Sequence, residues 1–277
     1  MGVNGYMNWE EINLEEFRVL SESICKDSEA KYSLLYGLSL GIKAEKEGQL
    51  FLKFGQVALA LQTNPNSPLV ISDLSEQSAK KLALFIEQKP AIKEIVASSK
   101  SVHLVLDNLR HSHPGFPEMV MNQKVYKNKK VILPEIKHRI IQASEVHKEI
   151  VATWITDFLI DTFIDPSPNS KKTTELSNKR IELGQVWLLI KDGVPVSMAC
   201  TTRPTNKSIT INGVFTPIER RGEGSASECT ALLTELMLEK YDFCTLYTDA
   251  TNQTSNKIYT DIGYVFECDS LHYKLSE

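Results

Sequence analysis

The chain lacks several features that would mark it for particular work. No stretch of its 277 residues approaches the ~18–20 consecutive apolar positions of a membrane-spanning helix. The N-terminal residues MGVNGYMNWEE offer neither the basic nor the apolar segment of a signal peptide, and Tyr6 stands where a myristoylation motif needs Ser or Thr. A cytoplasmic protein without a membrane partner is expected. Positive charge is not in excess: 31 Lys and Arg face 35 Asp and Glu, for a net charge of −4. That balance argues against nucleic acid as a partner. The five cysteines, Cys25, Cys200, Cys229, Cys244 and Cys268, are odd in number, scattered and without a C-x-x-C pair. They read as reduced, mostly buried small hydrophobes, not as a zinc or redox centre. His111-Ser112-His113 brings two imidazoles together, but Pro114-Gly115-Phe116-Pro117 makes the segment a loop and no third ligand stands out, so no metal is expected. G-x-S-x-G is absent, which removes Ser225 as a candidate nucleophile.

What is present is enough apolar residue, 42% of the chain, for ordinary cores, and one stretch of unusual content. Ile209 to Met237 reads ITINGVFTPIERRGEGSASECTALLTELM. Alternation over Ile209-Thr210-Ile211 and then Val214-Phe215-Thr216 predicts a strand. Pro217 removes a backbone donor and ends pairing. A turn, Arg220-Arg221-Gly222-Glu223-Gly224-Ser225-Ala226, follows. The period then changes to about 3.6, with Ala226, Cys229, Leu233 and Leu236 on one helical face and Glu228, Glu235 and Glu239 off it. The first turn of a helix has unpaired N–H groups and the positive end of its dipole. Glycines let an anion approach the main chain. Arg221 adds a permanent cation, and Ser225 a hydroxyl. The stretch suits a pyrophosphate or similar anion.

Several glycine-loop patterns compete for it. A Walker loop needs a closing GK[ST], and no Lys is there. A dinucleotide fingerprint fits Gly222 and Gly224 but meets Ser227 where the third Gly belongs. R-x-x-G-x-A is matched by Arg221, Gly224 and Ala226. The plain alternative is an ordinary strand-to-helix connection. In the third pattern, with V-F-T-P before it and a helix after, the turn resembles the acyl-CoA pyrophosphate loop of the GNAT N-acetyltransferase superfamily. A second segment carries the same resemblance: a buried strand Phe243–Asp249, then Asn252, then Ser255-Asn256-x-x-x-Tyr259, then Gly263-Tyr264. The likeness covers about residues 137–277.

The rest of the chain is read by period and turn chemistry. A helix is expected from Trp9 to Ile24, a second around Leu34–Ile42, a hairpin turning at Gly55-Gln56, a strand Leu69–Ser72 and a helix capped by Asp73 or Ser75. That order repeats the one around the glycine turn, but Ser72-Asp73-Leu74-Ser75-Glu76 has neither glycine nor arginine and places acids where a phosphate would sit. The expected fold class is α/β with a mixed sheet, in two GNAT-like domains: a degenerate one at 1–132 and an N-acetyltransferase domain at 133–277. In the second, Ile136–Ile140 opens as a strand, Asp192-Gly193 turns a hairpin, and Val265–Cys268 and Leu271–Leu275 close as strands.

The resemblance implies acyl transfer from acetyl-CoA, as cosubstrate, to a small amine or a peptide N-terminus, in a monomer or homodimer. It implies that the main chain of Val214, Phe215 and Thr216 pairs with the pantetheine arm. Arg221, Gly222, Glu223, Gly224, Ser225 and Ala226 would hold the pyrophosphate, with the Glu223 side chain turned to water. Asn252 would reach the pantetheine or help hold the acceptor; Ser255, counted with the cofactor-binding residues, or Asn256 would cap the short helix. The acyl arm would enter a splay between the glycine-turn strand and Phe243–Asp249. Tyr259 would protonate the departing thiolate, or else be a packing tyrosine. Glu175, Glu182, Glu219 and Asp249 remain equivalent candidates for a base. A non-catalytic acyl-CoA sensor is the alternative function.

Overall fold

In a computed structural model, residues 7–109, 116–162 and 164–275 are described. His111 and His113 lie outside them. The chain forms two compact units: Met1–Val125 with Thr248–Thr251 and Phe266–Glu277, and Tyr126–Tyr247 with Asn252–Val265.

In chain order the first half contributes β1 (Trp9–Glu11), α1 (Leu14–Cys25), α2 (Ser33–Gly41), β2 (Leu50–Phe54), β3 (Ala58–Gln62), β4 (Leu69–Ile71), α3 (Glu76–Glu87), β5 (Glu94–Ser98), α4 (Ser99–Leu109) and β6 (Glu118–Asn128). The second contributes β7 (Arg139–Gln142), α5 (Lys148–Asp161), α6 (Ser170–Glu182), β8 (Val186–Lys191), β9 (Val194–Thr202), β10 (Ser208–Phe215), α7 (Ser225–Leu238), β11 (Phe243–Asp249), α8 (Gln253–Asp261) and β12 (Val265–Lys274). The order β-α-α-β-β-β-α-β-α-β therefore occurs twice. The class is α/β with mixed sheet pairing: β4 and β5 are parallel, as are β10 and β11, among antiparallel neighbours.

In the first unit the sheet runs β1-β2-β3-β4-β5-β12. The last strand of the chain is part of it: β12 pairs with β5, Leu271 opposite Ala97 and Tyr273 opposite Ile95. Leu271 and Leu275 lie in the core beneath α3 and α4, with Leu82, Ile86, Val102 and Val105. The opposite face packs Phe17 of α1 and Leu35 of α2 on Phe51, Leu59 and Leu61. In the second unit the order is β11-β10-β9-β8-β7. Val151, Trp154 and Ile181 of α5 and α6 cover Leu188, Met198 and Cys200 on one face. Cys229, Leu233 and Met237 of α7 and Tyr259 of α8 cover Leu189, Ile211 and Leu246 on the other.

Several boundaries differ from those expected. The first helix starts at Leu14, not Trp9. Trp9–Glu11 is a strand paired with β2, Trp9 opposite Phe54, and the indole donates to the Ser78 carbonyl at 2.9 Å. Asn13 then caps α1 by accepting from the Glu16 amide. Helical periodicity in that stretch was outweighed by pairing for a large aromatic. The opening strand of the second half is Arg139–Gln142, shifted from Ile136–Ile140, and the two closing strands are continuous as β12. The Asp192-Gly193 turn has positive φ at each residue, 50° and 82°, as a tight hairpin requires.

Candidate functional site

β10 carries a break in parity. Ile209 and Ile211 point into the core beneath α7, and strict alternation would send Phe215 the same way. Phe215 packs instead on the α5 side, its ring 6.2 Å from Trp154, while Val214 joins the Ile211 side. The cause is a β-bulge. Asn212 faces Cys200 and Phe215 faces Met198, so β10 has one residue more than β9 over that span. Gly213 stands in the bulge at φ 57°. The parallel ladder between β10 and β11 runs from Ser208–Phe243 to Ile211–Leu246 and stops there. Past that point the β11 side of Asn212–Phe215 has no ladder partner among the described residues. The strands part where the bulge begins.

The turn after β10 exposes main-chain donors. Gly222 and Gly224 both have φ 82°, a region costly for other residues. A Cβ on either would meet nothing within 4 Å, so the glycines answer a backbone conformation and leave open space above it. Gly224 caps α7 with no side-chain hydrogen bond. The Arg220 and Arg221 amides bond to Pro217 and Ile218, and the Glu228 amide to Gly224. From Gly222 to Ser227 the amides have no protein acceptor among the described residues. These donors lie at the positive end of a 14-residue helix, where an anion is favoured.

Arg221 is tied down beside them. Its Nε donates to the Thr216 carbonyl at 2.9 Å, its Nη2 to Asp161 at the end of α5 at 2.5 Å, and its guanidinium lies 5.8 Å from the Phe215 ring centre. Thr216 is buried, its hydroxyl 2.9 Å from that of Ser197. The Glu223 side chain turns away to Lys191 at 2.9 Å, and that hydrogen bond holds its carboxyl below the usual range. Ser225 is buried at the first helical position, and Ala226 half-buried.

Asn252 caps α8, its Oδ1 accepting from the Ser255 amide at 2.9 Å. Tyr259 is only 8% exposed and packs edge-on against Tyr264, ring centres 6.1 Å apart. Burial pushes its phenol up to about 12, with a hydrogen bond from the Ser255 side chain opposing that rise. Glu175, Glu182, Glu219 and Asp249 are all exposed, and Asp249 accepts from both the amide and hydroxyl of Thr251. Among the described residues no cluster of His, Cys, Asp and Glu could hold a metal ion, and no helix is long and apolar enough to cross a membrane.

A split between parallel strands, next to an amide-lined turn, can be compared with solved structures. A GCN5-related N-acetyltransferase from Sphaerobacter thermophilus superposes with TM-score 0.63 at 10% identity, over 99% of this chain and 96% of that one. A GNAT-family acetyltransferase from Colwellia psychrerythraea gives 0.57 at 13% identity over 97% and 100%, and a GCN5-related N-acetyltransferase from Kribbella flavida 0.54 at 14% over 79% and 87%. The chain has the GNAT fold. No family model and no curated protein matches the sequence.

Two features of this GNAT fold were not anticipated from the sequence. Glu228, assigned above to the outer face of its helix, is buried: its carboxylate accepts from the amides of Lys137 and His138, at 2.6 Å each, and lies 2.8 Å from His138 Nδ1. It fastens the segment before β7 to the first turn of α7. The pull of local helical period says nothing about a main-chain segment some ninety residues away. The bulge did leave a signal. Ile209, Ile211 and Val214 share a face only if a residue is inserted, and Gly213 marks the place.

Proposed function

We propose that the protein is an acetyl-CoA-dependent N-acetyltransferase, with residues 133–277 the catalytic half and 1–132 a degenerate GNAT-like half. The observation that carries this reading is the run of unpaired amides from Gly222 to Ser227, opening beside the point where β10 leaves β11. A diphosphate fits those amides, since donors without protein partners at a helix N-terminus favour an anion. Arg221, held by Thr216 and Asp161, contributes charge from a fixed position. The open edge of β10 at Val214 to Thr216 offers main-chain groups to an extended chain of amides. Asn252 and Ser255 line the start of α8.

Acetyl-CoA supplies an activated acyl group that an amine nitrogen can take directly. The protein then has charge to stabilise and a proton to deliver. Tyr259 keeps its phenolic proton throughout the neutral range, because burial holds it near 12, and is the proposed proton donor to the departing sulfur. All four candidate carboxylates stand in solvent, which favours deprotonation of the amine through water. A non-catalytic sensor is the second reading. It is favoured by one observation: the Tyr259 side chain is buried and engaged with Ser255.

Calorimetry with acetyl-CoA and a thiol-release screen over amines, both on the full chain, test the proposal. Binding with turnover supports the enzyme. Binding without turnover of any amine supports the sensor. No binding removes both.

A further inference from the structure

The proposal above leaves the amine unspecified, and a cluster on the α6 side of the second unit bears on it. Arg203 follows β9 and has φ 48°. A positive φ is uncommon for a residue with a side chain, and the following Pro204 narrows its choice further towards extended backbone. Such strain persists where the surroundings enforce it, often at functional sites. Here it places the guanidinium 5.5 Å from the centre of the Tyr247 ring. Its Nε is buried with no hydrogen-bond partner.

Arg180, from the last turn of α6, reaches the same face. A Cβ on Gly213 would stand 3.6 Å from its Nη1 and 3.3 Å from the Cys200 sulfur, so the guanidinium lies against the bulge of β10. Asn212, opposite Cys200 in the ladder, presents there a buried Oδ1 that also lacks a partner. Burial lowers the affinity of Arg203 for its proton, the Tyr247 hydroxyl opposes that, and the charge of Arg180 adds to the lowering. No carboxylate lies within ion-pair distance of Arg180 or Arg203 among the described residues. Contrast Arg221, which has Asp161. An arginine cannot escape by losing its proton, and a guanidinium N–H shut off from water without an acceptor, as at Arg203 Nε, is unfavourable. Among the described residues Arg180 has only the Cys200 sulfur as a side-chain partner. Two guanidiniums, an orphaned N–H and an orphaned amide oxygen thus converge beside the parting of β10 and β11.

We propose that Arg180 and Arg203 form a subsite for a carboxylate carried by the amine substrate, which makes that substrate an amino acid or a related small amino-carboxylate. The inference rests on the acetyltransferase reading for the word substrate. The carboxylate site itself does not. Planar guanidiniums match a carboxylate through paired N–H donors. The Asn212 oxygen, an acceptor, suits the N–H of the amine or of its acetylated form.

Binding of N-acetyl amino acids, across all side chains, can be measured against their C-terminal amides and against N-acetyl dipeptides, by calorimetry on the full chain. The expected result is that at least one free carboxylate binds about tenfold or more tighter than its amide, the size of one good charge-assisted contact. Arg203→Gln and Arg180→Gln should each abolish that preference, Arg203→Lys should restore part of it, and acetyl-CoA affinity should stay within about twofold of wild type in every variant. Tighter binding by dipeptides than by single amino acids would move the substrate to peptides and overturn the small-molecule assignment. Equal binding of acids and amides throughout the panel, or a preference that survives both glutamine variants, would overturn the subsite. Absence of acetyl-CoA binding by the wild-type chain would instead count against the acetyltransferase reading, since the acid–amide comparison needs no cofactor.

Discussion

The two strand-to-helix junctions of this protein, β4 to α3 and β10 to α7, stand at the same place in the repeated element order and have opposite electrostatic character. At β4–α3 the main-chain donors of Leu74, Ser75 and Ser78 are satisfied internally by hydroxyls. Ser75 and Ser78 cap each other, each amide donating to the other's hydroxyl, and the Leu74 amide donates to Ser101 Oγ at 3.0 Å. The anion is built in. The Asp73 carboxylate accepts from Lys31 and from Ser98, and although burial works against ionisation, those bonds hold the group below the usual range. At β10–α7 there is no side-chain cap, two glycines take positive φ, and the amides from Gly222 to Ser227 have no protein acceptor among the described residues. β4 also pairs with β3 without a register shift, whereas β10 bulges against β9. One topology can thus be closed on itself or left open for a ligand by a handful of residues. Fold and function are argued from different atoms.

The sharpest way to break this contrast is at the neighbouring helices. α4 and α8 correspond in order, yet α4 is Ser99-Lys-Ser-Val-His-Leu-Val-Leu-Asp-Asn-Leu109 with no tyrosine, and α8 carries Tyr259. If Tyr259 donates the proton, Tyr259→Phe should lower kcat about 100-fold or more, in line with general acid catalysis, with little change in acetyl-CoA affinity. The rate of the wild type should not decline towards high pH until the phenol itself ionises near 12. Unchanged kcat would make Tyr259 a packing residue like its neighbour Tyr264.

Next in size is Gly224→Val. Its φ of 82° is the obstacle, not space, since a Cβ there meets nothing. A β-branched residue forced into that region costs on the order of 1–3 kcal/mol, which the loop can relieve only by withdrawing its amides. An affinity loss of about 10- to 100-fold for acetyl-CoA is expected by calorimetry. Retained affinity would mean that the amides are not the grip.

Glu228 offers a third contrast. The first-turn acid of α3, Glu76, is exposed, whereas Glu228 is turned inward on α7. Burial raises its carboxyl, but hydrogen bonds from His138 and from the amides of Lys137 and His138 outweigh that and leave it below its ordinary 4.5. A lowered folded-state value means stability that is complete above the unfolded value and is lost as pH falls through the folded one. Glu228→Gln should therefore cost roughly 2 kcal/mol near neutral pH, the scale of hydrogen bonds to a charged group. In denaturant titrations the gap from wild type should close below about pH 4.5. A gap that persists in acid would assign the loss to packing.

How far these features were legible follows from their range. The glycine turn, the α8 motif and the repeated order rest on local chemistry, and the residues that carry them are contiguous. The β1 strand, the Glu228 anchor and the membership of β12 in the first unit depend on partners far along the chain. Trp9 needs Phe54, Glu228 needs Lys137, and Leu271 needs Ala97. No window of ten or twenty residues contains those pairs. The Arg180–Arg203 cluster is of the same kind: each arginine alone looks like a solvated charge, and only the bulge at Gly213 brings one against β10.

The smallest expected effect tests the closed junction. Ser75→Ala removes one half of the reciprocal cap, leaving the Ser78 amide without its acceptor. Loss of such a cap costs about 1 kcal/mol, measurable as a shift of the urea midpoint with unchanged slope. Because the Ser75 junction holds its anion internally through Asp73, acetyl-CoA affinity should not change. Freeing an amide at α3 does not make a binding surface while the Asp73 carboxylate occupies it, for like charge repels a phosphate there. A fall in acetyl-CoA affinity with Ser75→Ala would place the ligand at the wrong junction, and the assignment of open and closed roles to the two halves would have to be exchanged.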